Sequence, residues 1–462
     1  MRILLGAWAC NPREGSESAV GWSWLRAIRR EHEVHVLTAL YQRDWIEAEV
    51  SRQPEEFSRV HFHYAEPPLW QYRKSRFWLW QANILFLVPL FHRYYHRWML
   101  AAYKAAQELN ERFHFDLAHQ LTFVGFRFPG HLWRLGIPFV WGPIGGLENT
   151  PWRLLPEMGA RGAIYYAARN VMNTAHKRFL RAPRKAFARA GAVIAATSRI
   201  QAEILKWYGV PSEVICEVGT PFEPRSEFAL RARGEPLRIA WSGLHLPRKA
   251  LPLLLRALRA MPGAWYLDIY GDGPCRNRWR ALACALGIQD RCAWHGQVPR
   301  EAALEGLRRA HLFVTTSLKD LTSTVIIEAL ASGVPVLCPD HCGFSDAITA
   351  ECGVKIPIPS VAEFEKGLRG ALLELYRDEE RRRRLAAGAL RRARDYSWEA
   401  KAGAIERVYR RALASRSAPS RLSIAAPSPA KDGLEQSVED LPQVAKPLRC
   451  GAGDLAREPL DS

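Results

Sequence analysis

Acidic residues are missing from two long stretches of this chain. None lies between Glu66 and Glu108 and none between Glu157 and Glu203, while the two windows carry six and nine Lys/Arg residues. These gaps underlie much of the formal net charge of +18 on 462 residues. Such a surplus implies an anionic partner: nucleic acid, an acidic membrane surface or phosphorylated ligands. Lys177, Arg181 and Arg184 in the second window fall at i, i+4, i+7 spacing. That spacing predicts one basic helical face, with Pro183 as a point of kinking.

Other absences narrow the reading. No segment offers the roughly 20 apolar residues of a spanning helix. The candidate FWLWQANILFLVPLF (77–91) is short and broken by Gln81, Asn83 and Pro89. Arg73, Lys74, Arg76, Arg93, Arg97 and Lys104 surround it, with Trp78, Trp80, Tyr94, Tyr95 and Trp98 nearby. It reads as a buried core helix or, preferred here, as an interfacial helix docking on an anionic inner leaflet. The nine cysteines include only one close pair, Cys338 and Cys342, and no second pair at zinc-finger spacing. They read as structural thiols of a reducing compartment. MRILLGAWAC at the N-terminus has a short apolar run and no cleavage site, and is expected to be a first buried strand. No zinc-finger, homeodomain or RNA-binding signature appears, which disfavours nucleic acid as the partner.

What is present is a repeated alternation of strand and helix patterns. Residues 2–9 predict a strand, 19–30 a helix and 32–40 a second strand, and further strands are predicted at 115–120, 137–146 and 190–198. Around 220–236 the chain turns irregular. The alternation restarts with strands at 237–243, 265–271, 311–317 and 335–339 and helices at 250–260, 277–286 and 323–332. The expectation is α/β: two Rossmann-like, doubly wound domains facing a cleft, with ligands outside the carboxyl ends of the strands. The expected divisions are an acceptor-binding domain 1–220, a donor-binding domain 221–395, a C-terminal helix 396–415 packing back on the first domain, and a disordered tail 416–462 rich in Ser, Pro and charge.

The stretch SLKDLTSTVIIEALASGVPV (317–336) sets Asp320 eight positions before Glu328. On one continuous helix the two acids would lie about 80° apart. If the helix instead starts near Ser323, Asp320 lies in the preceding loop. Thr322, Ser323 and Thr324 then stand at a helix N-terminus, where free N–H groups and the dipole favour an anion such as a diphosphate. The flanking carboxylates suit sugar or ribose hydroxyls. Routine capping explains the hydroxyl residues equally well.

This stretch resembles the donor-site signature of the family 4 retaining glycosyltransferases, an acid, seven residues and Glu, then Ala-[Leu/Met]-Ala-x-Gly-x-Pro-Val. WSGLHLPRKALPLLLRAL (241–258) and IYGDGP (269–274) resemble two further donor-domain blocks. CNPREGSESAVGWSW (10–24) and WGPIGG (141–146) resemble a branch that builds bacterial surface polysaccharides. The resemblance implies the two-domain GT-B fold and a retaining hexosyltransferase. Asp320 stands where the family usually has Glu holding the donor sugar, Glu328 where Glu binds the ribose, and Lys249 and Arg248 where the diphosphate is neutralised. Leu244 replaces a basic residue common after Gly243. His119 takes the place of a cleft histidine near the reacting centre. Gly243 and Gly271 fall in the donor-side turns, and Gly15, Ser16, Glu17, Gly145 and Gly146 on the acceptor side.

By the same resemblance, His119, Asp320 and Lys249 are the catalytic candidates. Charge on the leaving diphosphate would be met by Lys249, Arg248 and helix amides. The chain lacks Asp-x-Asp, so neither a metal nor any other cofactor is expected, and the nucleotide sugar is a substrate. The acceptor is expected to be a lipid-linked saccharide or a polysaccharide, and the location cytoplasmic and peripheral on the inner membrane. A nucleotide-sugar epimerase of the same fold and a non-catalytic sugar-nucleotide sensor are the alternatives.

Overall fold

Strands buried on both faces of a parallel sheet read as near-continuous apolar runs rather than as alternation. RILLGA, LRIAWS and VLCP are runs of this kind, and all three are central strands. The structure, a computed structural model, describes residues 1–66, 88–220, 222–225 and 227–415, with the backbone alone for 88–92. The predicted segment 77–91 therefore lies outside the described residues except for the backbone of its last four, and the 416–462 tail lies outside them entirely.

The first domain runs β1 (Arg2–Ala7), α1 (Glu17–Ile28), β2 (Glu33–Ala39), α2 (Arg43–Arg52), β3 (Val60–Ala65), α3 (Val88–Phe113), β4 (Leu117–Thr122), β5 (Phe139–Ile144), α4 (Gly159–Phe179), α5 (Arg181–Arg189), β6 (Ala192–Ala195), α6 (Ser198–Tyr208) and β7 (Glu213–Val214). Its strands pair in parallel in the order β3-β2-β1-β4-β5-β6-β7. The second domain runs β8 (Leu237–Ser242), α7 (Leu251–Arg259), β9 (Trp265–Tyr270), α8 (Arg276–Ala285), β10 (Cys292–Gly296), α9 (Arg300–Arg308), β11 (Leu312–Val314), α10 (Thr324–Ala331), β12 (Val336–Pro339), α11 (Phe344–Ala347), β13 (Gly353–Ile356), α12 (Val361–Arg377) and α13 (Glu379–Arg394), in the parallel order β10-β9-β8-β11-β12-β13. These are two Rossmann-like, doubly wound domains, the expected fold class.

The chain crosses between the domains twice. After α13, helix α14 (Trp398–Ser415) returns to the first domain, where Ile405, Val408, Tyr409 and Ala412 pack with β1, β4 and β6. The two crossings run side by side, with Thr220 N–H donating to Tyr396 O at 2.9 Å. Buried Lys401 on α14 donates to the carbonyls of Cys216 and Val218. A second exchange was not foreseen. Leu154, Leu155 and Met158, all within the range assigned to the first domain, pack in the core of the second, with Tyr166 against its edge.

Two expectations about the basic windows are corrected. Lys177, Arg181 and Arg184 do not share one helix, because α4 ends at Phe179 and Leu180 has extended ψ of 120°. Pro183 has no N–H for the Phe179 carbonyl and its ring would clash there, so the helix must restart. Lys177 is buried and its Nζ bonds Glu203 at 2.6 Å. Tyr94, Tyr95 and Trp98 are not an interfacial belt either. All three lie in the first domain's core, with Trp98 Nε1 donating to Ala65 O at 3.1 Å.

Gly271 shows the packing tolerance at a strand end. It has φ of 105°, and an added Cβ would collide with the carbonyl oxygen of Gly243. The two glycines let the ends of β8 and β9 touch through their backbones. Gly271→Ala is expected to lower the urea midpoint of the second domain, with about 1–3 kcal/mol lost to backbone strain alone. Gly370→Ala, at an exposed position of α12 with open space around it, should instead raise the midpoint, with a gain of up to about 1 kcal/mol in stability.

Candidate functional site

Parallel sheets present their carboxyl ends as loops, and ligands bind where those loops converge. The convergence here is the loop from Ser317 to Ser323, between β11 and α10. Leu318 N–H donates to Arg248 O (2.8 Å), and Arg248 Nη1 donates back to Lys319 O (2.7 Å). Asp320 accepts from Lys249 Nζ, from Ser317 Oγ at 3.3 Å and from its neighbour Leu321 N–H at 3.2 Å, with Arg248 Nη1 at 3.6 Å. Burial pushes the Asp320 carboxyl up, but Lys249 and Arg248 outweigh it and hold the group below the usual carboxylate range. Arg248 and Lys249 sit in a tight turn, Pro247–Lys249, before α7.

A cavity of about 580 Å³ opens beside this turn. The second domain lines it with Arg248, Lys319 and Asp320, and the first with Gly146, Glu148, Arg161, Tyr166 and Arg169. Arg169 Nη1 is buried and has no partner. Lys319, Glu148, Arg161 and Arg169 were not singled out from the sequence. Lys319 adjoins Asp320, and the two arginines lie in the acid-free window, so a signal was present. Glu148 gave none beyond following Gly146. Lys319 Nζ reaches across to Glu148 O at 2.8 Å, and burial lowers its pKa. Burial likewise raises the Glu148 carboxyl.

The other predicted residues lie elsewhere. Glu328 on α10 is buried and its Oε1 accepts from Arg300 Nη2 (2.7 Å) and Nε (3.1 Å); it does not line the cavity. Thr322 is not free to meet a phosphate. Its N–H and Oγ1 both bond buried Glu217, at 3.0 and 3.1 Å. Ser323 has φ of 81° and α10 begins at Thr324, one residue later than predicted. Gly145 serves domain contact, since an added Cβ would meet Leu321 at 2.9 Å. Gly146 alone of the acceptor-side glycines lines the cavity; Gly15 and Ser16 are exposed, away from it.

His119 is not in the cleft, which corrects the expectation of a histidine near a reacting centre. It is fully buried, with Nε2 2.8 Å from Gly142 O and Nδ1 2.8 Å from the Tyr409 hydroxyl. The carbonyl can only accept, so Nε2 carries the proton and Nδ1 accepts from tyrosine. Burial lowers its pKa to about 4, and the ring ties β4 to α14.

The second domain's sequence decides the kinship. Residues 223–392 match the family model described as Glycosyl transferases group 1. The second domain belongs to this family. A D-inositol 3-phosphate glycosyltransferase of Nocardia farcinica is 30% identical over 247 residues, 49% of this chain and 54% of the relative. A GDP-mannose-dependent alpha-mannosyltransferase of Mycobacterium tuberculosis is 34% identical over 183 residues, 37% of this chain and 44% of the relative. The chain thus spans about half the length of the curated relatives it matches. The whole described fold resembles sucrose-phosphate synthase from Thermosynechococcus elongatus, with TM-score 0.60 and 17% identity over 90% of this chain and 99% of that one. It also resembles HepE of Anabaena, solved in complex with UDP, with TM-score 0.56 and 14% identity over 88% and 99%. Both likenesses are of fold, the GT-B arrangement.

Glu17 stands apart at the start of α1. Its Oε1 accepts from Val124 N–H at 3.1 Å, and its Oε2 is buried without a partner. Burial, with Glu217 nearby, raises its pKa to about 7. A carboxyl raised on folding binds a proton that the unfolded chain releases near 4.5, so its contribution is complete below that pH and lost as pH rises through 7. The melting temperature of the wild type should therefore fall between pH 5 and pH 8. In Glu17→Gln it should change less across the same interval; equal slopes would show that Glu17 does not titrate there.

Proposed function

We propose that the protein transfers a sugar from a nucleotide-sugar donor to an anionic, lipid-linked or polysaccharide acceptor, with retention at the anomeric carbon and no metal in the reaction. The observation that carries this reading is one cavity bringing Arg248 and Asp320, the latter paired with Lys249, opposite Arg161, Arg169 and Gly146 of the other domain. The donor diphosphate takes Lys249 and Arg248 away from Asp320. That exchange frees the Asp320 carboxylate for hydroxyls of the donor sugar, so diphosphate and sugar are recognised together. Negative charge developing on the leaving diphosphate is met by the two cations already in place. Glu328 takes the nucleoside's ribose once Arg300 yields. Arg161 and Arg169 on the facing wall suit a phosphate or diphosphate on the acceptor. The UDP held by HepE supports a nucleotide donor, and the D-inositol 3-phosphate glycosyltransferase and the GDP-mannose-dependent alpha-mannosyltransferase among the relatives support the sugar-transfer class.

A thermal-shift screen with UDP-, GDP- and ADP-sugars tests the donor site, because a ligand of the native state raises the melting point according to its affinity. One donor class is expected to raise it in the wild type and to lose that effect in Lys249→Ala and Glu328→Ala. An unchanged shift in both variants would place the donor elsewhere.

A membrane surface belongs to the same reading, but on α4 rather than through Lys177. Ile164, Val171, Met172 and Phe179 are all more than half exposed. At about 100° per residue they fall within about 100° of one another, forming a single stripe. Arg161, Arg178, Arg181 and Lys185 accompany them with no acid between Glu157 and Glu203. Among the described residues no helix is long and apolar enough to cross a membrane; such a stripe lies in the interface. Flotation should recover the wild type with phosphatidylglycerol vesicles and not with neutral ones, and Met172→Asp/Phe179→Asp should stay behind. Equal flotation of both proteins would remove α4 as the docking face.

A further inference from the structure

The first domain holds a cluster that nothing in sugar transfer uses. Glu33 and His35 lie two apart on β2, and His61 and His63 two apart on β3, so each pair projects from one face of its strand. His35 is the direct register partner of His61. We propose that Glu33, His35 and His61 form a binding site for a divalent cation of the zinc type.

The donor atoms are already gathered. Glu33 Oε1 lies 3.3 Å from His35 Nε2 and 3.7 Å from His61 Nε2, and the three ligand atoms fall within 4.8 Å of one another. With metal–ligand bonds of about 2.0–2.2 Å, ligands of a tetrahedral ion stand about 3.3–3.6 Å apart. Two imidazoles and a carboxylate suit Zn²⁺ and its neighbours Co²⁺ and Ni²⁺. The His35 side chain is 1% exposed, Glu33 31% and His61 48%, so the site has a buried floor and an open mouth for a water ligand.

The surroundings orient the floor. His35 Nδ1 lies 3.0 Å from His63 Nε2. When Nδ1 donates that bond, the Nε2 lone pair points at the ion, as outer partners of metal-bound histidines ensure. Phe113 and Phe115 pack on the His35 ring with centroids 4.4 and 5.0 Å away. Arg2 Nε donates to Glu33 Oε1 at 3.1 Å. A carboxylate has two oxygens, so a turn of its end group keeps Arg2 on one and gives the other to the ion. A proton alone can join Glu33, His35 and His63 in a chain. His61 has no place in that chain, being beyond hydrogen-bond distance of Glu33, and so separates the two occupants.

The site lies at the amino ends of β2 and β3, whereas the cavity lies beyond carboxyl ends. The ion therefore staples edge strand β3 to the sheet and takes no part in transfer. Tag-free protein stripped with EDTA should bind one Co²⁺, giving visible d–d bands that Zn²⁺ abolishes, and Zn²⁺ should raise its melting point. Affinity for Zn²⁺ by calorimetry should fall at least about 10-fold in His61→Ala and in Glu33→Gln, and about 10–100-fold in His63→Ala, a positioning residue. His295→Ala, in the other domain, should bind as the wild type does. Both ligand substitutions are at partly exposed positions, so the stripped variants should melt as the stripped wild type does. Absence of the d–d bands, or equal binding by wild type and His61→Ala, would overturn the proposal.

Discussion

The loop from Ser317 to Ser323 is the constraint on which the rest depends. In seven residues it pins the basic turn through Leu318 and Arg248, neutralises Lys249 through Asp320, crosses to the first domain through Lys319 and Glu148, and ties the crossing segment through Thr322 and Glu217. Its own backbone is held from behind, by Gly343 N–H donating to Leu321 O and by the Cys342 thiol accepting from Asp320 N–H. Almost every polar group in it is spoken for, as buried polar groups must be.

Asp320 anchors the basic turn through its pairing with Lys249 and Arg248. A buried carboxylate between two cations is stable only while they remain, and removing one partner of a buried pair leaves an uncompensated charge. An anion that draws Lys249 and Arg248 away must therefore be accompanied by something that satisfies Asp320. Hydroxyl donors on the same ligand meet that need. On the proposed reading, this charge arrangement suits a ligand carrying phosphate and sugar a short distance apart.

The same economy governs the crossing. Glu17, Glu217 and Lys401 are buried charges or potential charges at the base of α1, the crossing segment and α14. Burial raises both carboxyls and lowers the lysine, so each is driven toward its neutral form. His119 obeys it too: a neutral ring, bonded at both nitrogens, stands where the family resemblance implied a cleft histidine.

Much of the architecture was legible because parallel strands announce themselves as apolar runs and their helices as periodic ones. RILLGA, LRIAWS and VLCP could hardly be anything else. The short strands β7, β10 and β13 and the polar edge strand β3 were missed because edge strands need no apolar run on both faces. Arg248, Lys249 and Asp320 were picked out through the family resemblance of their motifs, and the structure brings the three together. Thr322, His119 and Gly145 were misread because only a partner distant in sequence (Glu217, Tyr409, Leu321) decides whether a polar group or a glycine faces ligand or protein. By itself, then, the sequence determined the alternation of strands and helices in two domains, because apolar periodicity follows local structure. Only the tertiary structure decided which side chains in the loops between them remain free, because satisfying a buried polar group is a contest between neighbours that the chain brings together only on folding.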